Sequence, residues 1–190
     1  MNEPRRLFDC IELRLARNPE SYMLSGKESG QWKSYTVADV AKIVDDLAAG
    51  LLSMGISAND GTVEGRDKIA ILSKNRPEWL MLDMAVQKIG AILTPVYPTI
   101  NVNELEFVLR DAQVKLVFVN DEDLYLKVFS LKDKLPDLRE IFSFEHAANV
   151  RHWKEVTAMS KPELIAQIKP ISDKMKYEDV ATILYTLGTT

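Results

Sequence analysis

The residues best suited to bind a ligand lie together in one short stretch: Thr186, Gly188, Thr189 and Thr190. They follow directly on the apolar run 180–185, which is rich in β-branched side chains. That order predicts a buried strand feeding a tight loop. A glycine lets the backbone approach a ligand closely, and threonine hydroxyls can donate hydrogen bonds. The stretch therefore indicates an anion site, most often for phosphate, although a strand followed by a glycine-containing turn is also common elsewhere.

Other reactive or charged side chains are better explained by structural roles. Asp121–Asp123 stands where a helix should begin, and acidic residues interact favourably with that end of the helix dipole. Asn75–Trp79 is typical of a strand-to-helix turn with a packed tryptophan. His146 and His152 have no further partner at the spacing of a metal site, so hydrogen-bonded surface positions are expected. Cys10 falls near an apolar helix face and is predicted to be a small core residue.

The elements that position the candidate loop alternate between strands and helices. A helix is predicted at 4–18 and a hairpin at 22–35, and Thr36 is suited to cap a helix that ends near Gly55. Further strands are predicted at 68–72, 91–97, 115–119 and 138–143, with helices at 78–90, 103–111, 122–134 and 161–169. We predict that the 103–111 helix is capped by Asn103 and that the 122–134 helix is capped by Asn120 or Asp121.

This order predicts an α/β fold with a largely parallel sheet flanked by helices and an N-terminal hairpin. Ligands of such sheets bind beyond the carboxyl ends of the strands, and residues 186–190 are predicted to lie at such an end.

Length and composition narrow the class of protein. The 190 residues suggest one domain, or one plus an incomplete second, and 46% hydrophobic with 27% charged residues is a globular balance. The net charge is −4, without a run of five like charges, so a nucleic-acid partner has little support. A single cysteine excludes an internal disulfide. We find neither a signal peptide nor an apolar run of about 20 residues, so we expect a cytoplasmic protein without a transmembrane segment.

Four stretches occur in the order seen in the adenylate-forming (AMP-binding) superfamily. They are residues 32–36, 68–79, 90–99 and 181–190, and the second resembles the Asn-Arg-Pro-Glu-Trp segment of long-chain fatty-acid–CoA ligases. The last resembles the start of the family phosphate loop, Tyr-Thr-Ser-Gly-Thr-Thr-Gly-x-Pro-Lys-Gly. The chain thus resembles the N-terminal portion of a long-chain fatty-acid–CoA ligase, over nearly all of its length and up to a point inside that loop.

The resemblance implies a parent enzyme that uses ATP and Mg²⁺ to adenylate a fatty acid and then transfers the acyl group to coenzyme A. It assigns a partial ATP phosphate loop to Thr186, Gly188, Thr189 and Thr190. It implies neither a catalytic residue nor a metal ligand within residues 1–190, which would form the N-terminal portion of the AMP-binding domain.

Departures from the family pattern limit what we expect of the chain alone. Leu187 stands at the family's serine position, and the sequence stops before the loop lysine. We therefore expect the isolated chain to be inactive, to bind no cofactor and to self-associate through exposed strand edges. Two alternatives stay open. One is a naturally short, non-catalytic interaction module of the same fold. The other is a parent ligase for a different acid, such as an aryl, short-chain or amino acid.

Overall fold

The computed structural model describes residues 5–28 and 30–186. The chain divides into two compact units, which are described separately. The first comprises residues 1–55, 75–90 and 156–179, and the second comprises residues 56–74, 91–155 and 180–190.

The elements up to the middle of the chain are α1 (Asp9–Arg17), β1 (Tyr22–Glu28), β2 (Gln31–Thr36), α2 (Val37–Ser53), β3 (Lys68–Leu72), α3 (Pro77–Lys88) and β4 (Ile92–Pro95). They are followed by α4 (Val102–Asp111), β5 (Val114–Val119), α5 (Glu122–Phe129), a 3₁₀ turn (Lys132–Lys134), β6 (Glu140–Ser143), α6 (Lys154–Ala158) and α7 (Pro162–Ser172). Among the described residues, none of these helices is long and apolar enough to cross a membrane.

In the first unit, α2 is capped by Thr36, as the sequence predicts, and the structure shows that this cap is reciprocal. The Thr36 hydroxyl accepts a hydrogen bond from the Asp39 N–H at 3.1 Å, and the Asp39 carboxylate accepts one from the Thr36 N–H at 2.9 Å. Gly55 follows the helix with φ of 75°, a left-handed conformation that glycine adopts without strain. The two ends of α2 are therefore set by local hydrogen bonding and backbone freedom.

The middle of α2 makes a close backbone contact inside the same unit. Gly50 is buried, and a Cβ placed on it would lie 1.9 Å from the carbonyl oxygen of Val156. No side chain fits at that distance, so the packing of α2 against this backbone requires glycine.

The prediction for the first helix is wrong in two respects. The helix begins at Asp9 rather than at residue 4, and Cys10 is exposed rather than part of the core. Phe8 and Ile11 supply the buried side chains, with exposed fractions of 2% and 4%. Each residue turns a helix by 100°, so Cys10 points away from the face that these two residues share.

The second unit contains a parallel sheet with the strand order β4-β3-β5-β6. Ile69 of β3 lies opposite Leu93 of β4 and Leu116 of β5, and every residue of β3 is buried. Because buried parallel strands lack a solvated face, their sequences are nearly continuously apolar, as the prediction requires, and in β3 only Lys68 departs from this pattern. The α/β class, the parallel sheet and the N-terminal hairpin are confirmed.

One face of this sheet packs on α4 and α5 around a common apolar cluster. Its members include Ala70, Leu72, Val96, Leu105, Val108, Leu109, Val117, Val119, Leu124, Val128 and Ile141. The cap of α4 differs from the prediction, because the Asn101 side chain, not that of Asn103, accepts from the Glu104 N–H. Asp121 caps α5, as one of the two predicted candidates, and this helix ends at Phe129 rather than at residue 134.

Candidate phosphate-binding edge of the sheet

Residues 181–186 reach the sheet along the outer edge of β4. The Leu93 N–H donates to the Ala181 carbonyl at 3.3 Å, and the Ile183 N–H donates to the Leu93 carbonyl at 3.0 Å. These bonds form a single parallel bridge between Leu93 and Thr182. The predicted buried strand over 180–185 is therefore wrong in extent, because Leu184 is 70% exposed and the backbone pairs only at the bridge.

Tyr185 fixes the end of this segment. Its hydroxyl donates to the Asp111 carboxylate at 2.6 Å, and its ring meets the Phe107 ring edge-on, with centroids 6.2 Å apart at 89°. Burial of the ring, followed by the hydrogen bond and the negative charge of Asp111, raises the pKa of the Tyr185 phenol above its ordinary value. Tyr185 thus stays protonated and available as a donor at neutral pH.

A small cavity lies beside Tyr185, at the end of β4. Its volume is about 220 Å³, and its walls are largely apolar, with Glu104 and Thr99 as polar members. The remaining lining residues are Pro95, Val96, Tyr97, Ile100, Val108 and Tyr185. The cavity therefore lies at the carboxyl edge of a parallel sheet, where such folds bind their ligands.

The loop that forms one wall of this cavity is held at both ends. The Val96 N–H donates to the Ile71 carbonyl at 2.9 Å, and the Ile100 N–H donates to the Tyr97 carbonyl at 3.0 Å. Lys127 of α5 donates from Nζ to the Ile100 carbonyl at 3.0 Å. These bonds give the cavity a wall that is defined by backbone as well as side-chain contacts.

A polar network at the ends of β3, β5 and β6 was missed in the sequence. The Asn120 side chain is 5% exposed, accepts from the Ser73 hydroxyl at 3.1 Å and donates to Glu145 at 3.0 Å. It also donates to Asp121 at 3.0 Å. The available signal in the sequence was the polar residue directly after β3 and after β5, namely Ser73 and Asn120. The polar side chains of this network are hydrogen-bonded to one another and join the strand ends. A structural role therefore accounts for them without a ligand.

His146 and His152 lie in direct contact with each other, which their spacing in the sequence did not indicate. Their rings stack with centroids 3.7 Å apart, and His152 Nε2 lies 3.0 Å from the Phe144 carbonyl oxygen. Burial, and next the neighbouring His146, lower the pKa of His152 below its ordinary value. Within the described part of the chain, no group of three or more His, Cys, Asp or Glu side chains is arranged to hold a metal ion.

Of the predicted phosphate-loop residues, Thr186 is the one that the structure describes. It is exposed and follows the Tyr185 contact at the edge of the sheet. Leu187, Gly188, Thr189 and Thr190 lie outside the described residues. The phosphate loop therefore stays a prediction, and the structure describes only its first residue, Thr186.

Comparison with known proteins adds an independent finding. A family model described as AMP-binding enzyme matches residues 11–190. The long-chain-fatty-acid–CoA ligase FadD15 of Mycobacterium bovis is 29% identical over 164 residues, which are 85% of this chain and 26% of that protein. The chain thus spans about a quarter of the length of the curated relatives it matches.

Two solved structures are similar in fold. A long-chain-fatty-acid-CoA ligase, FadD1, from Archaeoglobus fulgidus has a TM-score of 0.75 at 19% identity, covering 100% of this chain and 36% of that one. The anthranilate CoA ligase AuaEII has a TM-score of 0.69 at 17% identity, covering 83% of this chain and 29% of that one. At these identities the likeness is one of fold.

Proposed function

Because the chain belongs to the AMP-binding enzyme family, we propose that it is the N-terminal portion of a long-chain fatty-acid–CoA ligase. The complete enzyme would use ATP to adenylate a fatty acid with release of pyrophosphate, and would then transfer the acyl group from the adenylate to the thiol of coenzyme A with release of AMP. The observation that carries the proposal is the family match over residues 11–190, which includes the candidate loop. The choice of a fatty acid is supported by the FadD15 relative.

The chemistry of the first step suits the residues at the edge of the sheet. Adenylation depends on positioning the ATP phosphates and on neutralising their charge. The exposed hydroxyl of Thr186 fits a phosphate oxygen, and Thr189 and Thr190 would add hydroxyl donors beside Gly188. A threonine hydroxyl would also help to hold Mg²⁺, which when bound neutralises phosphate charge.

An exchange assay tests this function directly. We would express the coding sequence through and beyond the codon for Thr190 and measure acid-dependent ATP–pyrophosphate exchange with fatty acids of graded length. We expect exchange with long-chain acids, and an open frame continuing Gly-x-Pro-Lys-Gly. Loss of the Thr186 hydroxyl in Thr186→Val should raise KM for ATP about tenfold, because a charge-assisted hydrogen bond is lost. Thr182→Val, four residues earlier, is the matched control and should leave KM unchanged.

The outcomes separate the alternatives. Exchange with an aryl or amino acid but no fatty acid would keep the family and change the substrate, as the anthranilate ligase of similar fold illustrates. A natural stop codon after Thr190, with a stable product and a recovered partner, would favour a non-catalytic interaction module. We propose that the 190-residue chain alone is inactive, and robust exchange by that chain would contradict this.

We also propose that the isolated chain self-associates. The parallel sheet ends in two edge strands, β4 and β6. Among the described residues each of them is flanked by a single isolated bridge, and an edge strand can pair with another copy of the chain. Light scattering should show a mass above that of the monomer at high concentration. A strict monomer would contradict this proposal.

A further inference from the structure

The residue that precedes the candidate phosphate loop is bonded to a distant helix. Tyr185 and Asp111 are 74 positions apart, and their hydroxyl-to-carboxylate distance is 2.6 Å. The Tyr185 ring also packs against the apolar cluster of the second unit and meets Phe107 edge-on. The bond therefore ties the backbone next to Thr186 to the end of α4.

The negative charge of Asp111 is unusual for its position in α4. It is the last residue of that helix, where the helix dipole disfavours a negative charge. The neighbouring Arg110 pairs with Glu106 at 2.5 Å, and Lys134 pairs with the same carboxylate at 2.8 Å. A carboxylate that opposes the dipole is best explained by the donor that reaches it from Tyr185.

Two sets of contacts thus restrain the approach to the loop. The bridge to Leu93 holds residues 181–183, and the Tyr185–Asp111 bond holds the chain two residues later. Thr186 is the next residue, and its backbone starts from a position fixed at both points. A ligand-binding residue whose backbone is already held in place loses less conformational freedom when the ligand binds.

We propose that Tyr185 and Asp111 are positioning residues that hold the backbone at Thr186, the first residue of the predicted phosphate loop, and thereby raise the enzyme's affinity for ATP. This inference rests on the proposed function. It assigns neither residue a contact with the nucleotide. The bond would act by keeping Thr186 in its binding-competent position, since a position populated only part of the time weakens apparent affinity in proportion.

The first test uses the 190-residue chain without nucleotide. Hydrogen–deuterium exchange is measured over residues 178–186 in the wild type, Tyr185→Phe and Asp111→Ala. Tyr185→Phe removes the donor but keeps the ring and its contact with Phe107. We expect each single variant to raise the rate of deuterium exchange in this segment about fivefold. The double variant should exchange little faster than either single variant, because both changes remove the same bond. Tyr97→Phe is the matched control, because Tyr97 lies at the same edge and is 80% exposed.

A spectroscopic measurement separates the hydrogen bond from a general loosening. The difference between the phenolate titrations of the wild type and Tyr185→Phe isolates Tyr185. This phenol should ionise above the ordinary range, and in Asp111→Ala it should ionise at lower pH than in the wild type. If Tyr185→Phe leaves deuterium exchange over residues 178–186 unchanged, or if Tyr97→Phe changes it equally, the bond does not restrain this segment.

The second test uses the full-length protein and ATP–pyrophosphate exchange. Tyr185→Phe should raise KM for ATP about fivefold, in step with the deuterium exchange, and leave KM for the acid unchanged. Faster deuterium exchange with an unchanged KM for ATP would overturn the positioning role alone. If the wild-type protein supports no ATP-dependent exchange, the proposed function fails and the positioning role fails with it. The deuterium result would then still decide whether the bond restrains the segment.

Discussion

Replacement of Gly50 by alanine should destabilise the first unit, even though alanine is the better helix former. Gly50 lies inside α2, and an added Cβ would lie 1.9 Å from the Val156 carbonyl oxygen and 2.7 Å from its carbonyl carbon. Ordinary van der Waals contact begins near 3.4 Å. The helix and the backbone at Val156 would therefore have to separate by about 1.5 Å.

Two opposing terms set the size of the effect. Alanine in place of glycine favours an isolated helix by about 1 kcal/mol. Overpacking a close-packed interior costs about 1–3 kcal/mol, and the upper part of that range applies because the obstacle is backbone rather than a flexible side chain. We expect Gly50→Ala to lower the free energy of unfolding by about 1–2 kcal/mol.

Equilibrium urea unfolding followed by circular dichroism measures this change, and the m-value should stay constant. Ser53→Ala in the exposed last turn of α2 is the control, with an expected effect within about 0.5 kcal/mol. Adding Val156→Ala should not restore stability, because the closest atom is a carbonyl oxygen that this change keeps. A Gly50→Ala protein as stable as the wild type would refute the contact on which this prediction depends.

Three further predictions concern a cap, a titration and a thiol. Thr36→Ala removes the acceptor for the Asp39 N–H and should cost about 1 kcal/mol of unfolding free energy in the same urea assay. The pKa of His152 is lowered in the folded state, so the unfolded chain binds more protons below about pH 6.5. Stability should therefore fall as the pH drops through that region, and His152→Gln should flatten the fall; an equal slope in both proteins would contradict this. Cys10 is exposed, so a thiol reagent should label it in the native protein as fast as in urea, whereas strong protection would indicate burial.

Much of the fold was predictable because the signals are local. Strand β3 matches its predicted bounds, since four consecutive apolar residues follow Lys68 and fill buried positions. The start of α2 was predictable because Thr36 and Asp39 are three residues apart, the spacing of a reciprocal cap. These features depend on neighbours in sequence and so leave a visible pattern.

The remaining differences between prediction and structure depend on residues that are distant in sequence, and a local sequence pattern does not show them. Asn101 and Asn103 are both suitable caps, and only the path of the chain after β4 decides that Asn101 takes the role. Helix α6 was missed because it is short and has one buried side chain, Val156. At the candidate site, residue type was enough to propose the threonines and the glycine, which stay a prediction, but it did not indicate the partner of Tyr185. Asp111 lies 74 positions away, and nothing near it in sequence points to the loop.

The same separation determines when the candidate site is completed during synthesis. The last sheet strand ends at Ser143, and Tyr185 follows about 40 residues later, which takes roughly 2–8 s at ribosomal speed. Strands β3 to β6 therefore leave the ribosome with the β4 edge still uncovered, and this edge is available to chaperones during that interval. The segment that carries Thr186 then docks on a surface that has already formed. A translational pause that falls after Ser143 has left the ribosome, and before Tyr185 has, would thus prolong the exposed state without altering the folded one.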